Sequence, residues 1–144
     1  MESDFLKNPK IELKAFRALI IDDDVSSLSH MGVLLHHSGW IVDFSFGGDR
    51  ALKHVKARNF DLVIVDWMMP DLSGCETILA IDQFFNRRKR GPVPYVVSSG
   101  LSLDQIAIPP TVKLKFWGHL PKKLLLPDKV ARLNEIRNSI RGLR

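Results

Sequence analysis

Short apolar runs punctuate the chain, and each stops at a charged or hydroxylic residue. Ala18, Leu19, Ile20 and Ile21 lead into Asp22, Asp23 and Asp24; Leu62, Val63, Ile64 and Val65 lead into Asp66. Such β-branched runs predict buried strands, here over Arg17 to Asp22 and Leu62 to Asp66. Ile41 to Phe46 and Tyr95 to Ser98 read as two more. Between them the apolar residues recur at helical spacing. Leu28, Met31, Leu34 and Leu35 share one face of a helix over Ser26 to Ser38, with Gly39 as its stop. Ala51, Leu52 and Val55 form the inner side of a helix over Asp49 to Arg58. The turn from Met69 to Gly74 opens a third helix, ending near Phe85. Pro127 and Asp128 open the last one, with Val130, Leu133, Ile136 and Ile140 toward the core.

Leu101 to Gly118 breaks this rhythm. Pro109 and Pro110 forbid a long regular helix, and Val112, Leu114 and Phe116 alternate with Lys113 and Lys115 in the manner of extended chain. The expectation is a short or distorted fourth helix, then a fifth strand around His119 and Leu120. Strands alternating with helices predict an α/β fold, a doubly wound five-stranded parallel sheet with flanking helices. Residues 17–144 form the domain and residues 1–16 an N-terminal extension.

Composition narrows the class without naming a chemistry. With 144 residues, 45% of them apolar and 26% charged, the chain can bury the core of one globular domain. No apolar run approaches the ~20 residues of a membrane helix, and the N-terminus lacks a signal-peptide core. The single Cys75 excludes an internal disulfide and fits a reducing compartment. A cytoplasmic location without membrane contact is therefore expected. The net charge of +5 resides in Arg87 to Arg90 and in Lys129, Arg132, Arg137, Arg141 and Arg144. These read as solvated loop and helix surface. They lack interleaved aromatics, which points away from nucleic acid and toward an acidic patch on a partner protein. His30, His36, His37 and His54 have no ligand partners at useful spacing and read as surface histidines.

In a parallel sheet, ligands gather outside the carboxyl ends of the strands. Two predicted strands end there in carboxylates, whose charges resist joint ionisation unless a cation sits among them. Hard oxygen donors suit a magnesium ion that keeps part of its water. An aspartate can also attack phosphorus covalently, and phosphoryl transfer needs positioning and charge neutralisation more than acid–base help.

Together, the acidic run, the segment Val65-Asp66-Trp67-Met68-Met69-Pro70 with Gly74, Ser98-Ser99-Gly100 and Leu120-Pro121-Lys122 resemble the receiver domains of two-component response regulators, over roughly Arg17 to Ile140. The resemblance implies a flavodoxin-like sheet in the order 2-1-3-4-5. It implies Asp66 as phosphoacceptor, with Asp22, Asp23, Asp66 and the backbone carbonyl of Met68 around Mg2+, and Asp24 as a neighbour. Ser99 corresponds to the switch hydroxyl, His119 to the place of a switching aromatic and Lys122 to the phosphate-pairing lysine. The implied donor is a phosphohistidine on a sensor histidine kinase or phosphotransfer protein, and the implied output is binding to a downstream protein target. Such a domain is regulatory, catalysing only its own phosphorylation and dephosphorylation.

The match has departures. Lys123 stands where the family usually has proline, which predicts a trans peptide there; with one extra residue before Pro127, Lys123 is the alternative phosphate partner. Met68 and Leu101, two residues beyond Asp66 and Ser99, cannot orient water by hydrogen bonding, so a long-lived phosphoform is expected. Two other readings compete: a receiver-like interaction module independent of phosphate, and a haloacid-dehalogenase-type phosphatase. The latter needs a second Asp where Met68 stands.

Overall fold

The computed structural model describes residues 15–142; most of the expected extension, and Arg144, lie outside that range. Five strands form one sheet, all neighbours parallel, in the order β2-β1-β3-β4-β5. They are β1 Arg17–Asp22, β2 Ile41–Phe46, β3 Leu62–Asp66, β4 Val93–Ser99 and β5 Leu114–Pro121. The helices are α1 Val25–His37, α2 Ala51–Ala57 (preceded by a 3-10 turn at Gly48–Arg50), α3 Gly74–Arg87 and α4 Leu126–Gly142.

The strands in the middle of the sheet read as continuous apolar runs because both of their faces are covered. Every residue of β3 and β4 is buried. Alternate residues feed two separate cores. Leu19, Ile21, Val63, Val65, Tyr95 and Val97 pack with Ala51, Val55, Ile78, Ile81 and Phe85 of α2 and α3. Ala18, Ile20, Leu62, Ile64 and Val96 pack with Leu28, Leu35, Leu133 and Ile136 of α1 and α4. Phe16, expected within the extension, joins the second core, its ring 5.6 Å from that of Trp40.

Between β4 and β5 the expected fourth helix is reduced to one 3-10 turn, Leu103–Gln105. The chain then runs irregularly past Pro109 and Pro110 into β5. Its anchor is the buried Asp82 of α3. The Asp82 carboxylate accepts from the backbone N–H groups of Val112 at 3.1 Å, Lys113 at 2.7 Å and Leu114 at 2.9 Å. Three consecutive backbone donors at the entry to β5 are thus met by one side chain.

Candidate functional site

Register assembles the acidic residues. Ile21 of β1 lies opposite Val65 of β3, so Asp22 and Asp66 follow at the same level. They share strand parity with Ile20 and Ile64, and all four line one cavity of about 240 Å³ between the sheet and helices α1 and α4. Asp22 and Asp66 are 4% and 5% exposed, whereas Asp23, beyond the strand end, is open to solvent. Carboxylate oxygens of Asp22, Asp23 and Asp66 lie within 4.8 Å of one another. Asp24 turns away to cap α1, accepting from the Ser27 backbone at 3.3 Å and its hydroxyl at 2.8 Å. The Ser27 hydroxyl holds the Asp24 carboxyl below the usual carboxylate range. Gly74 lets α3 start directly against the end of β3: a Cβ there would stand 2.5 Å from the Asp66 carbonyl oxygen.

Lys122 supplies the opposing charge. Its Nζ lies 3.2 Å from Asp22 Oδ2 and 3.4 Å from Asp66 Oδ2. Burial alone would lower the Lys122 ammonium, but the charges of Asp22 and Asp66 outweigh it and raise the group. Asp66 is pushed up to about 6, first by burial and then by the Asp22 charge, against the pull of Lys122. Met68 N–H donates to its carboxylate over a long 3.4 Å. Hydrogen bonding thus leaves much of this buried anionic oxygen unmet. A small, hard divalent cation fits that donor set.

The remaining expected residues divide. Ser99 is buried, and its hydroxyl accepts from Leu101 N–H at 3.1 Å. Its carbonyl accepts from Lys122 N–H at 3.0 Å and lies 3.4 Å from His119 Nε2. His119 therefore contacts the Ser99 backbone. Lys123 is exposed, after a trans peptide.

Three residues take positions that the expectations do not include. Ser98, the register partner of Asp66, lines the same cavity. Asp82 was passed over because its partners lie 30 to 32 residues away. Lys129, assigned to a solvated basic face, is 6% exposed. Spacing could have found it, since Lys129 stands four residues before Leu133 on the stripe that continues through Ile136 and Ile140. Arg132 and Arg137 of that face are also only partly exposed, whereas Arg141 is exposed as expected. Arg132 donates to the His119 carbonyl at 3.3 Å, Arg137 donates to the Ser38 carbonyl, and Arg141 lies over the Phe16 ring. In the other basic run, Arg90 donates to the Arg58 carbonyl at 3.0 Å and covers Phe85.

Comparison with known proteins bears on the family and the fold. The family model of the response regulator receiver domain matches residues 18–133. A transcriptional regulatory protein, the CpxR homolog of Haemophilus influenzae, is 30% identical over 120 residues, 83% of this chain and 49% of the relative. The matched stretches make up between 4% and 49% of the curated relatives' lengths. The signal receiver domain of an HD domain-containing protein from Pseudomonas fluorescens superimposes with a TM-score of 0.73 at 19% identity, covering 90% of this chain and 99% of that one. A response regulator protein from Thermotoga maritima, solved in complex with Mg2+-BeF, gives 0.63 at 22% identity, covering 84% and 98%. Likenesses at this identity speak for the fold.

Proposed function

Because this chain belongs to the response regulator receiver domain family, we propose that Asp66 takes a phosphoryl group from a phosphohistidine donor in a Mg2+-dependent reaction, and that the phosphoform changes binding to a protein target. One observation carries the reading. A buried carboxylate at a strand end has Asp22 and Asp23 oxygens within 4.8 Å and the Lys122 ammonium at 3.4 Å. In this reading an Asp66 oxygen attacks phosphorus in line, and the bond from phosphorus to the donor nitrogen breaks. Asp22 and Asp23, with Asp66 and the Met68 carbonyl, would hold magnesium, which supplies positive charge to the phosphoryl oxygens. Lys122 would contribute a point charge and Ser99 a hydrogen bond to the same oxygens. His119, against the Ser99 carbonyl, would register movement of that residue. The donor would be a sensor histidine kinase or a histidine phosphotransfer protein.

The test uses acetyl phosphate as a small donor, with Mg2+ and intact-mass detection. The wild type should gain one phosphoryl mass, and Asp66→Asn should gain none. Ser99→Ala should slow the gain by about tenfold, the net worth of one hydrogen bond. Absence of any gain in the wild type would leave an interaction module independent of phosphate. After the donor is removed, the label should persist, because Met68 and Leu101 offer no side-chain hydrogen bond to an attacking water. Loss of label as fast as from a Met68→Asn variant would refute that last point.

A further inference from the structure

Lys129 has no place in the chemistry above, yet it sits beneath it. It lies in the first turns of α4, 6% exposed, on the same cavity as Asp22, Asp66, Ser98 and Lys122. Its Nζ donates to the Lys122 carbonyl at 3.0 Å and reaches toward Nε2 of the exposed His30 on α1 at 3.5 Å. Burial, and then the Lys122 charge, pull this ammonium below the usual lysine range. A charge kept in such a place opposes folding unless its bonds repay the desolvation. The stripe it occupies, with Leu133, Ile136 and Ile140 buried behind it, would accept an apolar side chain.

What the ammonium does make is a tie to one particular backbone group. Lys122 follows β5 directly, in a turn closed by Leu124 N–H donating to the Pro121 carbonyl at 3.0 Å. The Lys122 N–H is held by Ser99, and its C=O is held by Lys129. Both polar backbone groups of the residue that reaches the acid cluster are therefore fixed, one by β4 and one by α4. Lys123 adds no ring that would stiffen the turn.

We propose that Lys129 is a positioning residue: by clamping the Lys122 carbonyl it holds the Lys122 ammonium where a phosphoryl group on Asp66 would arrive. The inference rests on the proposed function for its consequence, but the clamp can be read separately. In Lys129→Met, a side chain of similar length without donors, the turn amides of Lys122 and Leu124 should exchange hydrogen about tenfold faster, while the amides of β1 and β3 keep wild-type rates. Phosphoryl gain from acetyl phosphate at saturating Mg2+ should slow by about tenfold, as expected when a charged group loses its placement.

A merely structural Lys129 would instead speed exchange throughout the sheet and leave the folded protein's phosphoryl gain unchanged; that result overturns the proposal. So does unchanged turn exchange, or a loosened turn with phosphoryl gain at the wild-type rate. If the wild type itself gains no phosphoryl group, the proposed function fails, and the exchange measurement alone decides the clamp.

Discussion

Two buried carboxylates in this molecule have opposite surroundings. Asp82 on α3 is surrounded by donors: three consecutive backbone N–H groups converge on it at 2.7 to 3.1 Å. Asp66 at the tip of β3 has a long bond from Met68, a lysine shared with Asp22, and two neighbouring carboxylates. The first is complete and holds chain in place. The second is crowded by like charge, with one lysine shared between two buried carboxylates, and its carboxyl is pushed up to about 6. Burial alone does not separate a structural charge from a functional one; the count of donors facing it does.

Removing Asp82 should have the largest effect. Asp82→Ala leaves three N–H groups without their acceptor and frees the segment between β4 and β5. A loss of about 3–5 kcal/mol is expected, read from the urea midpoint at unchanged slope. The folded fraction should still gain phosphoryl mass, since the acid cluster lies at the ends of other strands. A mild loss would show that the prolines alone shape the segment.

Removing the charge of Asp66 should act in the opposite direction. With its pKa pushed up to about 6 in the folded state, from 3.8, the native protein keeps a proton that the unfolded chain has lost. Stability therefore falls as pH rises between those values, and the cost is fully present above the upper one. Asp66→Asn should be more stable than wild type at pH 7 by about 1–2 kcal/mol, less than the full linkage value because solvent reaches the open side of the cluster. That advantage should vanish below pH about 4, where Asp66 is protonated in both states. Equal melting temperatures at neutral pH would contradict the strain inferred here.

The smallest effect should come from the regular crossover between β3 and β4. There α3 starts with a capping box, in which Ser73 and Glu76 satisfy each other's backbone donors. Ser73→Ala should cost about 1 kcal/mol, the usual worth of a cap. The contrast with Asp82→Ala is the informative quantity: one crossover is held mainly by its own helix, the other mainly by a distant side chain.

Hydrophobic patterning by itself determined the sheet and its four main helices, because strands covered on both faces must be apolar throughout and helices must show one apolar stripe. It also put both Asp22 and Asp66 at the carboxyl ends of their strands, though their meeting at one level is set by the β1–β3 register. Tertiary structure decided the rest. It selected Lys122 rather than Lys123 to meet the carboxylates, through turn bonds donated to the Ser99 and Pro121 carbonyls. It drew Phe16 into the core, joined Lys129 to the Lys122 carbonyl and replaced a helix by chain tied to Asp82. The longest-range of these outcomes depend on partners far apart in the chain, as between Ser99 and Lys122 or Asp82 and Val112. Periodicity is a property of a few adjacent turns, so such pairings become visible only when the chain has folded.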